Sequence, residues 1–203
     1  MSSAHLPHFV LGFHGCLKST ADKIISDTSG HLYRSENEYD WLGHGIYFWE
    51  NDPYRAQSFA EESFKRSRKN NTKSKREACV VGAIITLGKC LDLIQYNNLM
   101  MLKVAYESFS STYEASGYKE MPINKPLRGA RDLLHRNLDC AVIEHLHYFE
   151  ENVRNKPSYD TVRGVFWEGQ DLYPNAGFKE KNHIQICVRN VSCIKGYFIP
   201  RLS

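Results

Sequence analysis

Gly43-His44-Gly45-Ile46-Tyr47-Phe48-Trp49-Glu50-Asn51-Asp52-Pro53-Tyr54-Arg55-Ala56-Gln57-Ser58-Phe59-Ala60 is the stretch on which the reading of this chain turns. Two glycines bracket a histidine and lead into an apolar and aromatic run, Gly45 to Trp49, that reads as a strand. Asp52 then sits as an N-cap and Pro53 at the first helical position. Ala56, Phe59, Ala60 and Phe64 repeat at helical spacing to about Lys65. Glycine suits a backbone that comes close to a ligand, because a side chain there would collide with it.

Upstream, residues 8–13 read as a strand delivering His14 and Gly15, and Ser19 and Asp22 are spaced like the capping box of a short helix. Residues 26–40 are polar and turn-rich, hence loop. Downstream, Cys79 to Leu93 is β-branched and apolar on both faces, as a central strand should be. Asn97 to Phe109 puts Leu99, Leu102, Tyr106 and Phe109 on one helical face, and residues 110–126 form a connection. Leu127 to Glu150 has apolar residues mostly at three- and four-residue steps and reads as helix. Val162–Trp167, His183–Val188 and Cys193–Pro200 read as strands, with a loop over Tyr173–Gly177. Strands first, helices in the middle and strands last make an α+β pattern. It excludes an all-helical fold and a regularly alternating parallel sheet.

The 203 residues fit one domain, 1–203, with a helical insertion at about 97–150. Hydrophobic content of 42% and charged content of 24% are those of an ordinary globule. The six cysteines show no Cys-x-x-Cys pair, so they read as buried reduced thiols in a reducing, cytoplasmic setting. No secretory leader is expected, and no apolar run reaches the ~20 residues needed to cross a bilayer, so no membrane association is expected. Net charge is +3, but the distribution is uneven. Lys65, Arg66, Arg68, Lys69, Lys73, Lys75 and Arg76 fall within 65–76 without an acidic residue. Such a run is either a solvated loop or a phosphate-binding arm for nucleic acid. His145 and His147 lack a third ligand at a sensible spacing, so no metal is expected.

His14-Gly15 together with Gly43-His44-Gly45-Ile46-Tyr47-Phe48 resembles the nicotinamide-binding half of the ADP-ribosyltransferase fold, in its diphtheria-toxin-like, poly(ADP-ribose)-polymerase-type branch. The resemblance covers the first 60 residues well and the last 40 loosely. It implies a split β-sandwich, NAD as co-substrate, and catalytic positions at His14 and Tyr47. His14 would hold a ribose hydroxyl, Gly15 the carboxamide, and Tyr47 would stack on nicotinamide. Gly45 and Phe59 would complete the cofactor site, with Phe59 as the other wall. The family carries a glutamate on a late strand, and alignment through Val188 and Tyr197-Phe198-Ile199 puts Gln185 there. Glutamine keeps a hydrogen bond to the 2′-hydroxyl but loses the charge beside the developing cation, a loss of about 2–4 kcal/mol. Either another carboxylate compensates, with Glu168 and Glu180 the nearest candidates although each taken singly reads as a surface residue, or the activity is lower. The loop from Glu168 to Glu180, including Gln170, lies where the family recognises its acceptor.

The expected activity is therefore transfer of ADP-ribose from NAD to a macromolecule. A free-standing domain with a basic arm resembles bacterial toxins of toxin–antitoxin and phage-defence systems, some of which modify RNA or DNA. RNA, including messenger RNA, is then the expected acceptor and an antitoxin protein an expected partner. The alternatives are modification of a protein target and an inactive NAD- or nucleic-acid-binding module. A related tRNA 2′-phosphotransferase would want an arginine cluster that is not evident.

Overall fold

In the computed structural model, the described residues are 9–27, 29–68, 77–117, 120–126 and 132–202, with the side chains of 66–68 excepted. The chain order is β1 (Phe9–Leu17), α1 (Lys18–Ser26), β2 (Ile46–Glu50), α2 (Pro53–Arg68), β3 (Ala78–Thr86), β4 (Cys90–Asp92), α3 (Tyr96–Ala115), β5 (Asn124–Lys125), β6 (His135–Arg136), α4 (Asn137–Tyr148), a π-helical turn (Phe149–Val153), β7 (Thr161–Phe166), β8 (His183–Val188), a 3-10 turn (Val191–Cys193) and β9 (Ile194–Phe198). Seven strands form one sheet in the order β4-β7-β8-β2-β1-β3-β9, and β5 pairs with β6 apart from it. Only β4 and β7 run parallel. The α+β reading holds.

The sheet is not flat, and the chain path shows why. β3 and β4 lie five strands apart in the pairing order, about 24 Å in a flat sheet. Only residues 87–89 join them, and the four steps from Thr86 to Cys90 reach at most ~14 Å. The sheet must therefore fold over, bringing β4-β7-β8-β2 to face β1-β3-β9. One buried cluster fills the space between the halves: Ile46 and Phe48 from β2, Val81, Ala83 and Ile85 from β3, and Ile186 and Val188 from β8, with Ala21 and Ile24 of α1. On the outer face, α2 covers Phe13, Trp49 and Val80 through Ala56. The outer face of the other half carries Leu91, Val162, Phe166 and Cys187 against α3 and α4.

Several local expectations change. Cys79 to Leu93 is not one strand. The chain turns at Gly88 with φ +58°, where a Cβ would strike the Asp160 side chain, and Lys89 N–H donates to Asp160 Oδ2 at 2.8 Å. β1 extends to Leu17, so His14 and Gly15 lie inside the strand. It runs straight into α1, whose cap residue Leu17 makes no side-chain bond, so Ser19 and Asp22 form no capping box. Of the helix expected over 127–150, residues 127–131 lie outside the described ones, and among the described residues it is α4 from Asn137, because Asn124 caps it from outside, its Oδ1 accepting from Leu138 N–H at 3.0 Å and Asp139 N–H at 3.2 Å. The start of α2 is as expected, with Asp52 Oδ1 accepting from Arg55 N–H at 2.8 Å. All six cysteines are free thiols. Among the described residues, no helix is long and apolar enough to cross a membrane.

Candidate active site

β1 and β2 hold the two halves of the sheet together with a very short ladder, pairing only at Gly12↔Glu50 and Phe13↔Trp49. Continued in this register, His14 would face Phe48 and Gly15 would face Tyr47, and neither pair is laddered. The carbonyl of Tyr47 instead accepts a hydrogen bond from His14 Nδ1 at 2.8 Å. A carbonyl only accepts, so Nδ1 carries the proton and Nε2 is the bare nitrogen of the neutral ring. Burial lowers the pKa of His14, partly offset by that bond, which keeps the ring neutral. The imidazole thus sits at the point where the strands part, edge-on to Phe48.

Gly15 faces α2, where a Cβ would collide with the carbonyl of Ala56. Glycine here lets helix and strand touch. The Tyr47 ring points to the outer face with its pairing partner Cys187 and packs against the α3–α4 cluster. Its hydroxyl donates to the Gly43 carbonyl at 2.6 Å and accepts from Leu42 N–H at 2.8 Å. Burial pushes its pKa well up, so it stays a neutral phenol. Gly43 has φ +76° and lies over Glu144, whose Oε1 accepts from His44 N–H at 2.8 Å and from Arg189 Nη1 at 2.9 Å. Gly45 lies tight against Cys187 and Val188 of β8.

Gln185 is buried and sits between Trp49 of β2 and Gly164 of β7. Phe59 stands against Trp49, with ring centroids 4.9 Å apart, not against Tyr47. Glu168 is no surface residue. Its Oε2 accepts from Arg55 Nη2 at 2.9 Å and lies 4.0 Å from His183 Nδ1. Glu180 and Gln170 are exposed and meet only through backbone, Glu180 N–H to Gln170 O at 3.0 Å.

Sequence reasoning missed the group around that ion pair. Trp49, Arg55 and His183 are all buried, and Trp49 Nε1, Arg55 Nε and Nη1, and His183 Nε2 have no hydrogen-bond partner among the described residues. The guanidinium lies 5.7 Å from the Trp49 ring centroid. His183 lies 6.2 Å from both Trp49 and Trp41 and 5.5 Å from Phe166. The available signal was Arg55 one turn after an Asp-Pro helix start, directly behind Trp49.

Residues 168–181 form a hairpin whose neck is closed by Lys181 N–H to Glu168 O at 3.0 Å. Both neck side chains are tied to α2, Glu168 to Arg55 and Lys181 Nζ to Glu62 Oε2 at 2.9 Å. These positions on α2 are seven residues, two turns, apart and so share a face. A cavity of about 450 Å³ opens beside the neck, lined by Asp132, Gly169 and Tyr173 among others. A larger one of about 760 Å³ lies between α3, α4 and the His44 turn. The basic run keeps only Lys65 among residues whose side chains are described; the rest lies outside them. His145 Nε2 meets Ser108 Oγ at 3.1 Å and His147 Nδ1 meets Ser158 Oγ at 2.6 Å. Among the described residues, no group of three or more His, Cys, Asp or Glu is placed to hold a metal ion.

No protein-family model matches the chain, and no solved structure matches it. The chain is similar to the protein named "Uncharacterized protein MJ0359" of Methanocaldococcus jannaschii, 26% identical over 199 residues that cover 90% of this chain and 83% of that protein.

Proposed function

We propose that this chain transfers ADP-ribose from NAD to a macromolecular acceptor, with nucleic acid as the acceptor. The observation that carries the reading is the short β1–β2 ladder, which stops before Gly15 and Tyr47 and leaves His14 at the parting of the strands. The folded-over sheet, with its two facing halves, supports the split β-sandwich implied by the resemblance.

Cleavage of the bond between nicotinamide and ribose C1′ passes through an oxocarbenium-like state. The protein must hold the leaving group still and place electron-rich atoms near the cation. Neutral His14, with its proton fixed on Nδ1, offers Nε2 to a ribose hydroxyl. The backbone of Gly15, unladdered toward β2, offers an N–H and a carbonyl to the carboxamide. The Tyr47 ring is fixed by its hydroxyl bonds and stands on the same sheet face as Gly15 and Gln185. Gln185 orients the 2′-hydroxyl without adding charge. Glu168 is engaged with Arg55, which weakens its claim to be the compensating carboxylate.

The test is incubation of the protein with NAD labelled in the ADP-ribose moiety and separate pools of RNA, DNA and protein. Covalent label on nucleic acid is expected. Label confined to protein would reassign the acceptor, and no transfer or nicotinamide release from any pool would leave a binding module.

A further inference from the structure

The buried group at Trp49, Arg55 and His183 is a set of hydrogen-bonding atoms without partners. Buried polar groups are nearly always satisfied, and a buried donor without a partner destabilises the fold. Four such atoms in one cluster, on side chains only 4–8% exposed, call for an occupant.

Their chemistry narrows what it is. Trp49 Nε1 and Arg55 Nε and Nη1 are donors only. His183 Nδ1 lies 2.6 Å from the Lys181 carbonyl and must donate to it, so Nε2 is a bare acceptor. Burial holds the ring neutral. The guanidinium charge is already balanced by Glu168 at 2.9 Å, and Lys181 by Glu62. A further anion would gain little. The site suits a neutral group with an acceptor-rich edge and one adjacent donor, and the rings of Trp41, Trp49 and Phe166 around it suit a planar ring.

We infer that Trp49, Arg55 and His183 recognise a guanine base of the acceptor strand. O6 and N7 of guanine accept from Arg55 and Trp49, the pairing arginine commonly makes with this base. The neighbouring N1–H donates to His183 Nε2. Adenine puts an amine where O6 stands, and uracil has no second acceptor corresponding to N7. The base arrives splayed out of a single strand, from the side of Phe59, which is 39% exposed and leans on Trp49. The hairpin neck at Glu168 and Lys181 closes the other side. The choice of ligand rests on the nucleic-acid reading above, but its binding does not require NAD.

The experiment is a titration of the whole 15N-labelled chain, without NAD, followed at the indole N–H of Trp49 and assigned with Trp49→Phe. Guanosine and inosine 5′-monophosphates, which share O6, N7 and N1–H, should shift this resonance with similar affinity. Adenosine and uridine 5′-monophosphates should bind about tenfold or more weakly, the lower end of base discrimination by such contacts. His183→Phe and Trp49→Phe each keep a ring in place, and both should weaken guanosine monophosphate by about tenfold, read from other resonances of the cluster. Equal binding of all four nucleotides would reduce the site to stacking and overturn the assignment. So would a Trp49 response to free nicotinamide alone, or no response to any ligand in a protein that melts normally. Transfer to DNA or RNA without guanosine preference here would leave the proposed activity standing and this inference refuted.

Discussion

His14 Nδ1 donates to the backbone carbonyl of Tyr47 across the opening between β1 and β2, at 2.8 Å. One imidazole nitrogen thus takes the acceptor that a continued ladder would have used, and the other is left for a ligand. The two residues meet through a side chain and a backbone atom, while the Tyr47 ring faces the helical layer.

This arrangement separates the roles of the two residues. His14→Ala should abolish transfer of labelled ADP-ribose and leave the melting temperature within a few degrees of the parent. Tyr47→Phe keeps the ring but strands Leu42 N–H and leaves the Gly43 carbonyl only the Cys187 thiol at 3.6 Å, so it should cost about 1–3 kcal/mol of stability and retain transfer below its melting point. Tyr47→Ala removes a packed aromatic and should cost about 3–5 kcal/mol. Full activity in a folded His14→Ala protein would sink the dinucleotide site.

The late strand is tested at Gln185. Gln185→Ala removes the hydrogen bond to the 2′-hydroxyl and should lose most of the activity. Gln185→Glu adds charge beside the forming cation and should retain or raise NAD cleavage. Glu168 needs a milder change, because Glu168→Ala leaves Arg55 buried and unpaired, at a cost of about 3–5 kcal/mol. Glu168→Gln and Glu180→Ala should leave cleavage near the parent rate. If either abolishes it while Gln185→Ala stays active, the catalytic group lies in the hairpin.

For the basic run the readout is salt dependence. Changing Lys65, Arg66, Arg68 and Lys69 to glutamate should weaken RNA binding and flatten its log–log salt slope, by about 0.9 for each lost phosphate contact. NAD hydrolysis without acceptor should barely change. A slope that survives the swap would identify the run as a solvated loop.

Stability should fall on the acid side because of buried histidines. His147 is held neutral, its pKa lowered to about 3 by burial first and then by Arg189, Arg34 and Lys89. Unfolded, it would titrate near 6.5. The unfolded chain therefore binds the extra proton, so this contribution is fully present above about pH 6.5 and is lost as pH falls toward 3. At pH 5 the loss is about 2 kcal/mol. Burial lowers the pKa of His14 and His183 in the same direction. Thermal melts between pH 7 and 5 should show a smaller decline in His147→Asn than in the parent, and parallel curves would refute the assignment.

What the sequence determined by itself is local in origin. The α+β class follows from apolar periods that switch between two and three-to-four residues within short windows. The start of α2 follows from Asp52 and Pro53, whose capping bond spans three positions. These effects act between neighbours in the chain, so a single sequence displays them. The break at Gly88 was less legible, because the turn depends on Asp160, and the start of α4 depends on Asn124. The tertiary structure alone decided where the chain's distant parts meet. Arg55 and Glu168 are 113 residues apart, and His14 and Tyr47 are joined by a side chain reaching a backbone carbonyl. Neither leaves a periodic or compositional trace. The side-by-side placing of β7, β8, β2 and β1 in one sheet brings them together, fixed by the burial of β2, β3 and β8 side chains in one core.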